Sequence, residues 1–216
     1  MAKKTKKVYP FVQRFIFPIF RLFIKKVRGI GNIPKKGAFI IVANHSSYLD
    51  PLIVSAVFVS KTNRGIRFIT KVGVLWRLLP EWVSVKWAGC IPIKKTRLFR
   101  EKPLPASIKL LHKGEIIGIF PEGGRNFGKL MKSHTGVARM AVEGFPVVPV
   151  GIIGTQDIYP RGRFLPKLKR AVILNIGKPM LFKKIDENRI NKKILKKVTR
   201  KIMKRVGELA GLEYGY

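Results

Sequence analysis

The chain has 216 residues, enough for one domain with a substantial core. A hydrophobic content of 46%, with 14 Phe, excludes a disordered polymer. Forty-five Lys and Arg against eleven Asp and Glu give a formal charge of +34, which excludes a surface indifferent to anions and points to nucleic acid, an anionic membrane surface, or a generally basic background. The single cysteine, Cys90, excludes an internal disulfide, and its apolar surroundings suit a small core residue. Three histidines and one cysteine without ligand spacing argue against a zinc site, so no metal is expected.

Residues 3–7 form a basic tag. The apolar stretch 8–24 is broken by Arg14, Pro18 and Arg21, too interrupted for a spanning helix, and it lacks the small-residue cleavage site of a signal peptide. Phe11, Phe15, Ile19, Leu22 and Phe23 recur at helical spacing among basic residues, with nine Lys or Arg and no acid between Lys3 and Arg28. This pattern reads as an amphipathic helix on a membrane surface, in preference to a helix packed on the domain's own core. Residues 1–30 are therefore set apart from a domain over 31–216.

Strands are predicted at 38–43, 67–70, 88–93, 115–120, 147–153 and 171–176. Several are unbroken apolar runs, as strands covered on both faces require. Helices are predicted at 51–59, where Pro51 takes the first helical position, and at 74–79, 106–112 and 135–143. The alternation gives the fold class: α/β, a single domain with a mostly buried central sheet flanked by helices, plus the N-terminal segment. A final helix over 187–209 carries an apolar stripe of Ile194, Leu195, Val198, Ile202, Met203, Val206 and Leu209. Its remaining faces are basic and suit either solvent or anionic headgroups.

Two polar turns follow buried runs. The first, Asn44-His45-Ser46-Ser47-Tyr48-Leu49-Asp50, sets an imidazole and a carboxylate five residues apart. Asp50 before Pro51 sits at a helix start, with its carboxylate turned back toward His45. A carboxylate on one ring nitrogen leaves the other free to take a proton from a hydroxyl. Ser46 and Ser47 lie in no nucleophile elbow, which favours direct attack by a substrate hydroxyl. The second turn, Phe120-Pro121-Glu122-Gly123-Gly124-Arg125, sets a carboxylate and a guanidinium around two glycines and suits an anion. Each turn alone also admits a structural reading: a capping aspartate with a hydrogen-bonded histidine, and a tight turn with a local ion pair.

Together the turns resemble the glycerol-phosphate acyltransferase family, most closely its lysophosphatidic acid acyltransferases. Asn44, His45 and Asp50 match the family's N-H-x4-D motif, and Phe120, Pro121, Glu122, Gly123 and Arg125 match F-P-E-G-x-R. Val147-Val148-Pro149-Val150-Gly151 is similar to the apolar proline motif, and Gly89 to Lys95 to the motif ending in arginine; Lys95 stands where arginine is common. The similarity extends over residues 34–177. It implies His45 as general base and Asp50 as its orienting partner. It further implies Glu122, Gly123 and Arg125 at the glycerol phosphate, with Lys95 and Arg97 as added phosphate cations. The implied reaction moves an acyl group from acyl-CoA or acyl carrier protein to a lysophospholipid, with no cofactor, at the cytoplasmic face of a membrane. Two alternatives stay open: an acyltransferase with another lipid acceptor, and a basic nucleic-acid-binding or membrane-binding protein without catalysis. Against specific nucleic-acid binding, no zinc-finger spacing, stacking motif or helix-turn-helix is present.

Overall fold

The computed structural model describes residues 12–70, 89–94, 102–160, 162 and 165–216. Within them the sheet contains β1 (Ile24–Arg28), β2 (Phe39–Ala43), β3 (Ile66–Thr70), β4 (Ile91–Pro92), β5 (Ile116–Ile119), β6 (Val147–Ile153) and β7 (Val172–Ile176). Their order is β1-β7-β6-β2-β5-β3-β4. The block from β6 to β4 is parallel throughout. β7 runs antiparallel to β6, and β1 lies parallel to β7 at the edge.

β2 shows why a continuous apolar run becomes the central strand. Every one of its five residues is buried. Successive side chains point to opposite faces, so Phe39, Ile41 and Ala43 enter one core while Ile40 and Val42 enter the other. The first core is closed by α2 (Asp50–Thr62), which follows the short α1 (Phe17–Arg21) in the chain. The second is closed by α3 (Pro103–His112), α4 (Gly136–Ala141) and the long C-terminal helix, with the single turn α5 (Thr155–Ile158) lying between them in sequence. The C-terminal helix, α6 (Lys192–Ala210), begins at Asn191, whose side chain accepts the Ile194 N–H, a cap that the sequence pattern had not singled out. α6 buries Ile202, Met203 and Val206 and leaves its lysines exposed. It comes so close to β6 that a Cβ on Gly151 would meet the Leu209 carbonyl carbon at 2.2 Å.

All six predicted strands are present within a residue or three of their expected ends. The predicted helix over 74–79 lies outside the described residues, as does Phe11. β1 was not anticipated: three of its five residues are charged, which conceals a strand, yet a charged edge strand is a common guard against edge-to-edge association. The sheet thus begins at residue 24, inside the segment that the sequence set apart. The expected apolar face of the N-terminal segment is divided. Phe17 and Phe23 are buried and Phe20 packs against the first core, whereas Phe15, Ile19 and Leu22 are 54%, 55% and 66% exposed. Among the described residues the segment is a π-helical turn (Val12–Ile16) that runs directly into five α residues (Phe17–Arg21).

Gly118 in β5 serves a specific contact. A Cβ there would lie 2.5 Å from the Phe68 ring, and that ring stacks on Phe120 with centroids 5.8 Å apart. Gly118→Ala is expected to lower stability by about 1–3 kcal/mol through overpacking. A denaturant midpoint equal to wild type would show that Phe68 relaxes freely.

Candidate active site

Because β2, β5 and β6 run parallel side by side, their carboxyl ends deliver three turns to one edge of the sheet. Ligand sites of open α/β sheets lie at this edge. The β2 turn carries Asn44 to Asp50, the β5 turn carries Phe120 to Asn126, and the β6 turn leads into α5.

Asp50 is fully buried and is the first residue of α2; Leu49 occupies the cap position assigned to Asp50 from the sequence. The carboxylate turns back as expected. Its Oδ2 accepts the Ser46 N–H at 2.7 Å and the Ser47 N–H at 2.8 Å, and lies 2.8 Å from His45 Nδ1. Oδ1 is buried with no hydrogen-bond partner among the described residues, so every bond falls on Oδ2. A carboxylate only accepts, hence the proton of a neutral His45 sits on Nδ1 and the lone pair on Nε2. The imidazole stacks on Phe120 with centroids 4.4 Å apart and planes tilted by 27°. Its side chain is 16% exposed. One edge is thus fixed by Asp50 and one face by Phe120.

The two motifs clasp through the main chain of His45. Its N–H donates to Glu122 Oε1 at 2.8 Å, and its carbonyl accepts the Asn126 N–H at 2.6 Å. The Glu122 carboxylate also accepts from Asn126 Nδ2, 3.0 Å from each oxygen, and from the Met131 N–H at 2.8 Å. Glu122 is only 5% exposed, and burial raises its pKa, opposed by the hydrogen bonds from Met131, His45 and Asn126. The resemblance puts this side chain at the glycerol phosphate; the structure puts its oxygens on protein donors. Arg125 lies over the Tyr48 ring, 3.6 Å from guanidinium carbon to centroid, so a cation from one motif is seated on an aromatic from the other. Gly123 has φ of +69°, and a Cβ would meet His134 Nε2 at 2.9 Å, so both conformation and space call for glycine.

Further residues hold the edge together. Asn44 donates to the Ile152 carbonyl at 2.9 Å and accepts the Ile152 N–H at 2.7 Å, which continues the β2–β6 ladder with a side chain. Ser46 Oγ lies 2.9 Å from Thr155 Oγ1, and Ser47 Oγ donates to the Tyr159 carbonyl. Both serines are tied to the β6 side of the edge. Asn126, Tyr48, Thr155 and His134 were not assigned as site residues from the sequence. Tyr48 and Asn126 had a signal, because Tyr48 lies within the first motif and Asn126 immediately follows the second. Lys95 and Arg97 lie outside the described residues. Burial lifts the Cys90 thiol to about 11, so it stays protonated near neutrality.

The chain is similar to several known proteins. A probable 1-acyl-sn-glycerol-3-phosphate acyltransferase of Mycoplasma pneumoniae is 29% identical over 219 residues, covering 91% of this chain and 77% of that protein. The 1-acyl-sn-glycerol-3-phosphate acyltransferase of Bacillus subtilis is 31% identical, covering 72% and 73%. The crystal structure of the 1-acyl-sn-glycerophosphate (LPA) acyltransferase PlsC from Thermotoga maritima superposes with a TM-score of 0.67 at 28% identity, covering 96% of this chain and 81% of that one. Uncharacterized mycobacterial proteins match at 29% identity, and there the chain spans only 44% of the relative's length. The Acyltransferase family model matches residues 25–153, from β1 to the end of β6 and through both polar turns, and the chain belongs to that family.

Proposed function

We propose that the protein transfers a fatty acyl group from an acyl thioester to the free hydroxyl of 1-acylglycerol-3-phosphate, giving phosphatidate. The observation that supports this reading is the closure of the His45 main chain onto the Glu122–Asn126 turn, with an imidazole and a seated guanidinium at one sheet edge. His45 Nε2 takes the hydroxyl proton as the hydroxyl oxygen bonds to the thioester carbonyl carbon. The tetrahedral intermediate collapses with cleavage of the carbon–sulfur bond, and the imidazolium returns the proton to the departing thiolate. Asp50 holds the Nδ1 proton and stabilises the imidazolium. Arg125, joined by Lys95 and Arg97, receives the acceptor phosphate. Glu122 acts at one remove, by holding the His45 backbone.

The proposed setting is an anionic membrane surface at the cytoplasmic face. The exposed Phe15, Ile19 and Leu22 amid Arg14, Arg21 and Lys25 support interfacial contact. Among the described residues no helix is long and apolar enough to cross a membrane.

The deciding measurement is thiol release from palmitoyl-coenzyme A in anionic vesicles, with and without lysophosphatidate. The expected result is acceptor-dependent release with phosphatidate formed. No release with either coenzyme A or acyl-carrier-protein thioesters would overturn the assignment.

A further inference from the structure

A concave surface lies away from the polar turns. It is a cleft of about 400 Å³ between the edge strand β1, the end of α1 and the last turn of α2. Arg21, Lys25, Lys26, Lys61 and Arg170 line it, with Ile24, Val27, Ile30 and Val57 as its apolar part. Ser60 and Lys61 stand ten and eleven residues along α2 from Asp50, roughly 15 Å away at helical rise. The cleft is therefore separate from the proposed catalytic edge.

Among the described residues its charge is uncompensated: five cations share one concavity and no acid lines it. Among the described residues, the acids in ion pairs meet His45, Arg67, Arg139 and Arg205, none of them in the cleft. Arg170 is fixed there by its Nε–H, which donates to the Ile24 carbonyl at 2.8 Å. Concentrated like charge with a fixed guanidinium is suited to a phosphate group, which takes charge-assisted hydrogen bonds from several donors. A bare phosphate has no use for an apolar wall. Here Ile24 and Val57 are buried in the wall, while Ile30 and the adjacent Leu22 are 45% and 66% exposed. Cationic rim and apolar floor together match an amphiphile: a phosphodiester headgroup with the first methylenes of its chains below it.

We propose that this cleft binds the phosphodiester of an anionic membrane phospholipid, as a docking site distinct from that of the reacting acceptor. The inference rests on the membrane-surface setting but not on the acyl-transfer chemistry. Occupancy would hold β1 and the exposed Phe15–Leu22 side toward the bilayer.

The test titrates the full chain with monomeric dihexanoylphosphatidylglycerol, below its micelle concentration, alongside dihexanoylphosphatidylcholine and inorganic phosphate. Wild type is expected to show one saturable site for phosphatidylglycerol and at least tenfold weaker binding of the other two. Lys26→Gln with Lys61→Gln removes two cations, and Ser60→Trp fills the cleft while keeping all charges. Both are expected to weaken binding at least tenfold. Lys193→Gln with Lys197→Gln removes the same charge from α6 and is expected to change it less than twofold. Equal loss in the α6 control would show diffuse charge attraction and overturn the proposal. So would wild-type binding by Ser60→Trp, equal affinity for inorganic phosphate, or no saturable binding. Turnover on monomeric substrates is expected to stay at wild-type level in all variants; if it fell with binding, the cleft would belong to the reaction site. Absent turnover with intact phosphatidylglycerol binding would instead sink the acyl-transfer reading and leave the cleft standing.

Discussion

His45→Ala is expected to reduce acyl transfer by about 10²–10⁴-fold, the usual worth of a positioned general base. Folding stability should fall by about 1–3 kcal/mol, because buried Asp50 loses one of its three partners while the backbone clasp with Glu122 and Asn126 does not involve the ring. The measurement is kcat in the thiol-release assay beside a denaturant midpoint. Equal collapse of both would make the histidine structural. Asp50→Asn separates charge from geometry. The Ser46 and Ser47 N–H groups would hold the amide oxygen where Oδ2 now lies, so the Nδ1 hydrogen bond and the tautomer survive. What is lost is the anion beside the imidazolium. A charge-assisted hydrogen bond exceeds a neutral one by roughly 1–1.5 kcal/mol, so the expected loss is about tenfold. An unchanged rate in Asp50→Asn would show that the carboxylate orients without stabilising charge.

Glu122→Ala is expected to be the most destabilising single change at the site. It strands three buried or half-buried donors: the His45 and Met131 N–H groups and Asn126 Nδ2. At 1–3 kcal/mol for each unsatisfied group, the expected cost is about 3 kcal/mol or more, read from the denaturant midpoint. Turnover should fall with it, since the backbone of the proposed base is no longer held. A pH dependence follows. Burial raises the folded-state pKa of Glu122 above its ordinary value of 4.5, so over that window the folded chain binds more protons than the unfolded one. Stability then declines as pH rises from 4.5 through the raised value. Glu122→Ala should remove this part of the slope. A variant with the same midpoint and the same slope would show that the clasp contributes nothing.

The parallel core was legible because doubly buried strands write themselves as apolar runs, and β2, β5 and β6 are such runs. β1 was concealed by Lys25, Lys26 and Arg28, whose charges are tolerated only because the strand lies at an edge. The His45–Asp50 contact was readable from a five-residue spacing within one turn. The role of Glu122 was not, because its partners lie 77 and nine residues away and two of them are backbone groups without sequence identity. Asn44 presents the same limit: its partner is the main chain of Ile152, 108 residues distant. Of the N-terminal face, Phe15, Ile19 and Leu22 face out as their spacing suggested, whereas Phe23 lies inside, because periodicity finds apolar residues but not which of them meet the domain.

The strand order has a consequence for biosynthesis. β2 lies between β5 and β6, so its neighbours are translated long after it. A chain halted at residue 70 contains His45 and Asp50 but neither strand that flanks them. Such distant pairing raises contact order and slows folding. The half-made sheet meanwhile exposes the Ile40 and Val42 face of β2, whose covering helices α3, α4 and α6 come later, an open template for misassociation. Emergence of Ile153 is therefore the earliest moment at which a growing chain can flank β2 and the His45 turn on both sides, and a holdase that covers residues 39–43 until then would raise the yield of folded protein.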